Sequence, residues 1–141
     1  MEGSDRKEKD SDMTKKDLID QAFGVTGDYQ SSDDCTSGSV GAALITKAGN
    51  VYTGVCIECS SSLGFCAEHS AIAEMLKHKE SEIVMIVAVD TSKKILPPCG
   101  RCRELIYQVN KTNVNTKVLI AHNKTILLKE LLPHRWQEVW E

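Results

Sequence analysis

Cys66-Ala67-Glu68-His69-Ser70-Ala71-Ile72-Ala73-Glu74-Met75-Leu76, Ile83-Val84-Met85-Ile86-Val87-Ala88-Val89 and Pro97-Pro98-Cys99-Gly100-Arg101-Cys102-Arg103-Glu104-Leu105-Ile106 follow one another along the chain. In the first segment Ala71, Ile72, Met75 and Leu76 recur at helical spacing, which predicts a buried helix from Cys66 to about His78. The second is nearly continuous Ile, Val and Met with Ala88, the pattern of a central strand covered on both faces. In the third, Cys102, Leu105, Ile106 and Val109 fall at i, i+3, i+4 and i+7, while Pro97 and Pro98 bar helix upstream, so a second helix begins near Cys99. Further out, Val40 to Thr46 and Val51 to Ile57 are β-rich runs joined at Ala48-Gly49-Asn50, which reads as a hairpin turn. Lys117 to Ala121 and Thr125 to Leu128 flank a turn at His122-Asn123-Lys124. Strands alternating with helices predict an α/β sandwich with a mixed sheet of about five strands. A first helix is expected from Thr14, as N-cap, through Leu18, Ile19 and Ala22 to a stop at Gly24. Gly, Asp and Ser crowd residues 27–39, which reads as a functional loop.

Length and composition bound the rest. A chain of 141 residues, 41% of them hydrophobic, suits one domain with one core, placed at residues 14–141. Residues 1–13 carry dense mixed charge and little to bury, so a disordered tail is expected there. No apolar run approaches the roughly 20 residues that span a bilayer, and no signal-peptide core precedes the domain, so a cytoplasmic protein is expected. Six cysteines in such a compartment read as metal chemistry rather than as a disulfide framework. A formal charge of -3 gives no electrostatic footprint for a polyanion, which argues against nucleic acid as a partner.

Cys66, Cys99 and Cys102 supply three thiolates for one Zn²⁺, and a site with three protein ligands keeps its fourth position open, whereas a structural site fills all four. Glu68 then has the task of general base and acid, taking a proton from water and passing it to a leaving group. It shares a helix face with Ile72 and Met75, so its carboxylate is expected to point inward, where burial raises the pKa and a metal opposes the rise. Both ligand clusters start helices, whose N-termini favour thiolates. One Zn²⁺, three thiolates and a carboxylate leave a net negative site, which Arg103 is expected to help offset. The competing reading pairs Cys56 and Cys59 with Cys99 and Cys102 in a closed structural site. Strand alternation opposes it, because Cys56 and Cys59 face opposite sides of an extended chain. Cys35 and Cys59 read as small packing residues. His69 is expected to hydrogen-bond a zinc thiolate. Trp136 and Trp140 are divided between packing and a substrate wall.

The two zinc segments, with Val40-Gly41-Ala42-Ala43-Leu44, Gly54 to Glu58, and Glu130-Leu131-Leu132-Pro133, resemble the small cytidine deaminase family. The resemblance implies a three-layer α/β/α cytidine-deaminase-like sandwich and hydrolytic removal of the 4-amino group of a cytosine nucleoside or analogue. It also implies one zinc per chain and a homotetramer whose active sites borrow residues from neighbouring subunits, with a homodimer as the alternative. By resemblance Glu58 meets the ribose 3′-hydroxyl, the Ala67 N–H meets the pyrimidine 2-oxygen, and Cys56 stands at a sugar-holding position where the family usually has Asn. Pro97 is expected in the substrate pocket and Arg101 reaches either a substrate anion or solvent, while by resemblance Trp140 lies in a tail that reaches an active site. Gly38 replaces an aromatic pocket residue, and His69 stands where an Arg commonly follows Cys-Ala-Glu. Pro98 to Arg103 and the ending Val139-Trp140-Glu141 are also similar to blasticidin-S deaminase, which makes antibiotic inactivation an alternative activity. A zinc-stabilised interaction domain without catalysis and a deaminase acting on nucleic acid are the rivals from other classes.

Overall fold

The computed structural model describes residues 15–141; the expected tail at 1–13 and the Thr14 cap lie outside them. Residues 15–24 form helix α1. Strands β1 (Tyr29–Ser32), β2 (Cys35–Thr46), β3 (Val51–Cys59) and β4 (Gly64–Phe65) follow, then helix α2 (Ala67–Lys77) and strand β5 (Ile83–Asp90). Helix α3 (Gly100–Val109), strands β6 (Lys117–Ala121) and β7 (Lys124–Leu127) and the short helix α4 (Leu128–Leu131) complete the domain, with a final 3₁₀ turn at Trp136–Val139.

The sheet runs β4-β3-β2-β5-β6-β7, with β1 paired to β2 off that path. β5 lies between β2, to which it is antiparallel, and β6, to which it is parallel. The parallel step requires a crossover, and the chain makes it through α3. Alternation along the two central strands builds a core on each face. Ala42 and Leu44 of β2 and Ile86 and Ala88 of β5 pack with Ala71, Ile72 and Met75 of α2 and Ile106 and Tyr107 of α3. Ala43 of β2 and Met85, Val87 and Val89 of β5 pack on the other side with Leu18, Ile19 and Ala22 of α1. The result is the three-layer α/β/α sandwich, with α1 on one face and both cysteine-bearing helices on the other. Apart from Val84, every residue from Ile83 to Val89 is buried, as a strand covered on both faces requires.

Two expectations are corrected. The sheet has seven strands rather than about five, because β1 and the two-residue β4 add to the edge. Residues 27–39 are not a loop: they hold β1 and the first part of β2, joined by a tight turn in which the Asp34 N–H donates to Ser32 Oγ at 3.2 Å. β1 is exposed throughout, so its polar residues carry no alternating apolar signal, and a bulge between Ser37 and Gly41 breaks the register.

α2 approaches β3 very closely. A Cβ placed on Gly54 would lie 2.5 Å from the Ala71 nitrogen and 2.5 Å from Ser70 Cβ, so only glycine allows this contact. At the far end of α2, Glu80 accepts from Thr46 Oγ1 at 2.6 Å, from Asn50 Nδ2 at 2.9 Å and from the Tyr52 hydroxyl, tying the β2–β3 hairpin to the helix. Those bonds, from Thr46 first and then Tyr52 and Asn50, hold the Glu80 carboxyl below its ordinary value, and the same Glu80 pushes Tyr52 up to about 12. A depressed carboxyl contributes stability above its unfolded pKa and loses it as pH falls through the folded value. The melting temperature is therefore expected to drop on acidification through the range below about pH 4.3, the ordinary Glu value. Glu80→Gln should lower the melting temperature at neutral pH and flatten that acid limb; a limb of unchanged steepness in a thermal-melt pH series would contradict the assignment.

Candidate active site

Cys66 and Cys99 are the N-cap residues of α2 and α3, both in extended conformation, with φ/ψ of -72/156° and -69/170°. Neither makes a side-chain capping bond, so each sulfur is free to turn into the space between the helix starts. The Cys66 and Cys99 sulfurs are 3.4 Å apart, Cys99 and Cys102 are 3.5 Å apart, and all three lie within 4.8 Å of one another. Four ligands at about 2.3 Å around tetrahedral zinc have edges of about 3.8 Å, so the three sulfurs fit that metal. Among the described residues no fourth Cys, His, Asp or Glu joins the group.

Cys56 and Cys59 stay out of it. The Cys56 sulfur accepts from the Val40 N–H at 3.3 Å and contacts Ser39 Oγ at 3.2 Å, while Cys59 lies 3.3 Å from Cys35. The closed four-cysteine alternative is thereby removed.

The thiols are unevenly biased. Burial, with the Glu68 charge behind it, pushes Cys102 strongly up, and burial followed by the Cys99 contact raises Cys66. Cys99, although burial works against it, is held below the ordinary thiol value by the Cys102 N–H, the Cys66 thiol and the other donors at the start of α3. Deprotonating all three in so small a volume requires a cation, so metal binding releases protons.

Glu68 sits in the first turn of α2 and is 5% exposed. Burial raises its carboxyl above the usual range, against the opposing pull of its own N–H and of Cys102. A cleft of about 470 Å³ opens over this group, with Cys66, Cys99 and Glu68 at its floor. Cys56, Glu58, Ala67, Pro97 and Arg101 also line it, so five of the six residues expected around a substrate come together. Trp140 does not. It stacks edge-on against Trp136, ring centres 4.7 Å apart, and both are largely exposed outside the cleft of their own chain. The tail is held elsewhere, by Glu141 bonded to the Tyr107 hydroxyl and to Lys111 at 3.2 Å.

One supporting contact differs from expectation. His69 forms no bond to a thiolate through Nε2, which is buried without a partner; its ring lies 6.3 Å from that of Phe65, and burial, then Arg101, lowers its pKa. Arg103 donates to the carbonyl oxygens of Pro98 at 2.8 Å and Leu131 at 3.3 Å, so it braces the ligand loop against α4. The sequence reading also missed the lip formed by Ser62, Leu63, Gly64 and Phe65. Its only trace in the sequence is the apolar pair around Gly64, set in a serine-rich stretch between strand and ligand.

Comparison with known proteins agrees with this geometry. The family model described as the cytidine and deoxycytidylate deaminase zinc-binding region matches residues 14–118. A cytidine deaminase of Halalkalibacterium halodurans is 35% identical over 99 residues, covering 67% of this chain and 74% of the relative. A blasticidin-S deaminase of Bacillus cereus is 38% identical over 109 residues, covering 69% and 76%. The crystal structure of cytidine deaminase from Mycobacterium leprae superposes with a TM-score of 0.71 at 28% identity, over 84% of this chain and 97% of that one. With the sulfur cluster, the fold and the sequence all in agreement, the chain belongs to the cytidine and deoxycytidylate deaminase family.

Proposed function

We propose that the protein is a zinc-dependent hydrolase that replaces the 4-amino group of a cytosine nucleoside with oxygen, releasing ammonia. The observation that carries this reading is the single cleft in which a metal-competent sulfur cluster, a buried carboxylate and sugar-sized space adjoin. Zinc held by Cys66, Cys99 and Cys102 would supply Lewis acidity that brings the ionisation of water from a pKa of 15.7 toward about 7.

The chain's own residues do the rest. Glu68, shielded from bulk solvent, accepts the proton of the attacking water at its carboxylate and passes it to N3 of the ring, then takes the proton of the new 4-hydroxyl and passes that one to the departing amine. The net reaction consumes one water and yields the 4-oxo ring and ammonia. Ala67 begins α2, where main-chain N–H groups lack intrahelical partners and can bind the ring 2-oxygen. Glu58, on the strand wall, accepts from a sugar hydroxyl, and Cys56, Pro97 and Arg101 shape the remaining wall. His69 and Arg103 act on the packing of the two helix starts rather than on the substrate.

No helix among the described residues is long and apolar enough to cross a membrane. A cytoplasmic location and a homotetramer with Trp140 at a neighbouring subunit complete the proposal, and mass measurement in solution tests the assembly.

Glu68→Gln should keep its metal while losing about 10² to 10⁴ in turnover, the range of general acid–base catalysis. Unchanged turnover would remove Glu68 from the mechanism. Cys99 is exposed, so Cys99→Ala sacrifices little packing; its zinc content and melting temperature should fall together. Retention of one zinc per chain by that variant would contradict the ligand assignment. Ammonia release should be seen with cytidine or deoxycytidine in a panel that includes blasticidin S. A zinc-loaded protein inert toward every member would instead be a binding domain of this fold.

A further inference from the structure

Cys35 and Cys59 face each other across β2 and β3 as direct register partners, with their sulfurs 3.3 Å apart. The Ser60 N–H donates to the Asp34 carbonyl at 3.1 Å immediately beside them, which makes the cysteines a non-hydrogen-bonded pair. In such pairs the Cα atoms are about 4.5 Å apart and the side chains closest, within the span a disulfide accepts. A second bond, from Ser60 Oγ to Asp34 Oδ1 at 3.1 Å, holds the same chain ends together. Both thiols are partly exposed, and neither takes part in the zinc cluster.

What Cys59 leads into gives the pair a consequence. Its own N–H donates to the Leu63 carbonyl at 2.8 Å, and the adjacent Glu58 pairs with Gly64 of β4. The connection from Cys59 to Cys66 passes through Ser61, Ser62 and Gly64, all at positive φ, a strained path for the two serines. Cys59 and this segment form one lip of the cleft, and Cys66 beyond it is a sulfur of the metal cluster.

We propose that Cys35 and Cys59 are a redox pair whose reversible cross-strand disulfide fixes the lip of the cleft. The oxidant is a peroxide. The Cys35 sulfur attacks one peroxide oxygen, the O–O bond breaks, and water leaves as the sulfenic acid forms. Cys59 then attacks that sulfur, expelling a second water and forming the S–S bond at about 2.05 Å. Two thiols and one hydrogen peroxide thus give one disulfide and two waters, and a reducing dithiol restores the pair by exchange. Hydrogen bonds from Ser31 and then from Cys59 hold the Cys35 thiol below its ordinary value, which suits it to the first attack. The link from the lip to the substrate rests on the deaminase reading; the disulfide does not.

The test treats the zinc-loaded full chain with a small excess of hydrogen peroxide, alkylates the remaining thiols and maps peptides by mass spectrometry, with amide exchange measured across residues 60–65. A Cys35–Cys59 crosslink is expected, cleaved by dithiothreitol and absent from both Cys35→Ser and Cys59→Ser, with exchange in the lip slowed about fivefold or more. The redox pair is overturned if Cys35 and Cys59 still alkylate when the zinc-binding cysteines have begun to oxidise, or if either links elsewhere. A crosslink that leaves exchange at residues 60–65 unchanged overturns the locking of the lip. None of these readouts uses catalytic activity, so failure of the deaminase reading stays separate.

Discussion

Three sulfurs drawn from separate parts of the chain must meet within 4.8 Å, and the rest of the molecule is arranged around that requirement. Bringing ionised thiols so close is unfavourable without a cation, because their mutual repulsion grows in a partly dry site. The fold offers two compensations, both from the backbone. α2 and α3 point their N-termini at one place, and each presents its cysteine as the cap, so helix dipoles and unpaired N–H groups face the developing charge. β5 supports this convergence: residues of both helices pack in the core on the same face of it. Glu68, in the first turn of α2, shares the buried face of that helix with Ile72 and Met75.

Much of this was legible in the sequence because it depends on short-range spacing. Cys66 with Glu68, and Cys99 with Cys102, each lie within a turn of helix, and the apolar residues behind them declare which face is buried. The central strand was legible because both faces are covered and nearly every residue is apolar. β1 and β4 were not, because an exposed strand of Tyr, Gln and Ser has no face to distinguish, and a strand of two residues has no period. The contacts of His69 and Arg103 were not legible, for a different reason. Proximity in sequence to a ligand says nothing about which carbonyl a long side chain will reach, and Arg103 reaches one on α4 that only the tertiary fold supplies. Trp140 depends on how the tail docks, which Tyr107, Lys111 and Glu141 decide at a distance of some thirty residues.

The cleft itself combines rigid and adaptable walls. Its floor belongs to helix starts fixed by the core, whereas its lip is a short connection carrying an exposed Leu63 and a half-exposed Phe65. Cys56 illustrates how a wall residue can be present without offering a strong hydrogen bond to a ligand, since its sulfur already meets the Val40 N–H and Ser39. The other polar side chain on that strand wall is Glu58.

The contact at Gly54 extends this dependence to a residue with no chemistry of its own. The absence of one methyl group there sets the distance between a strand and the helix that bears a clustered sulfur and a buried carboxylate. Geometry at the metal is thus tuned by van der Waals spacing midway along β3, and evolution could alter the reach of the site by adjusting that thickness alone, leaving every reacting side chain unchanged.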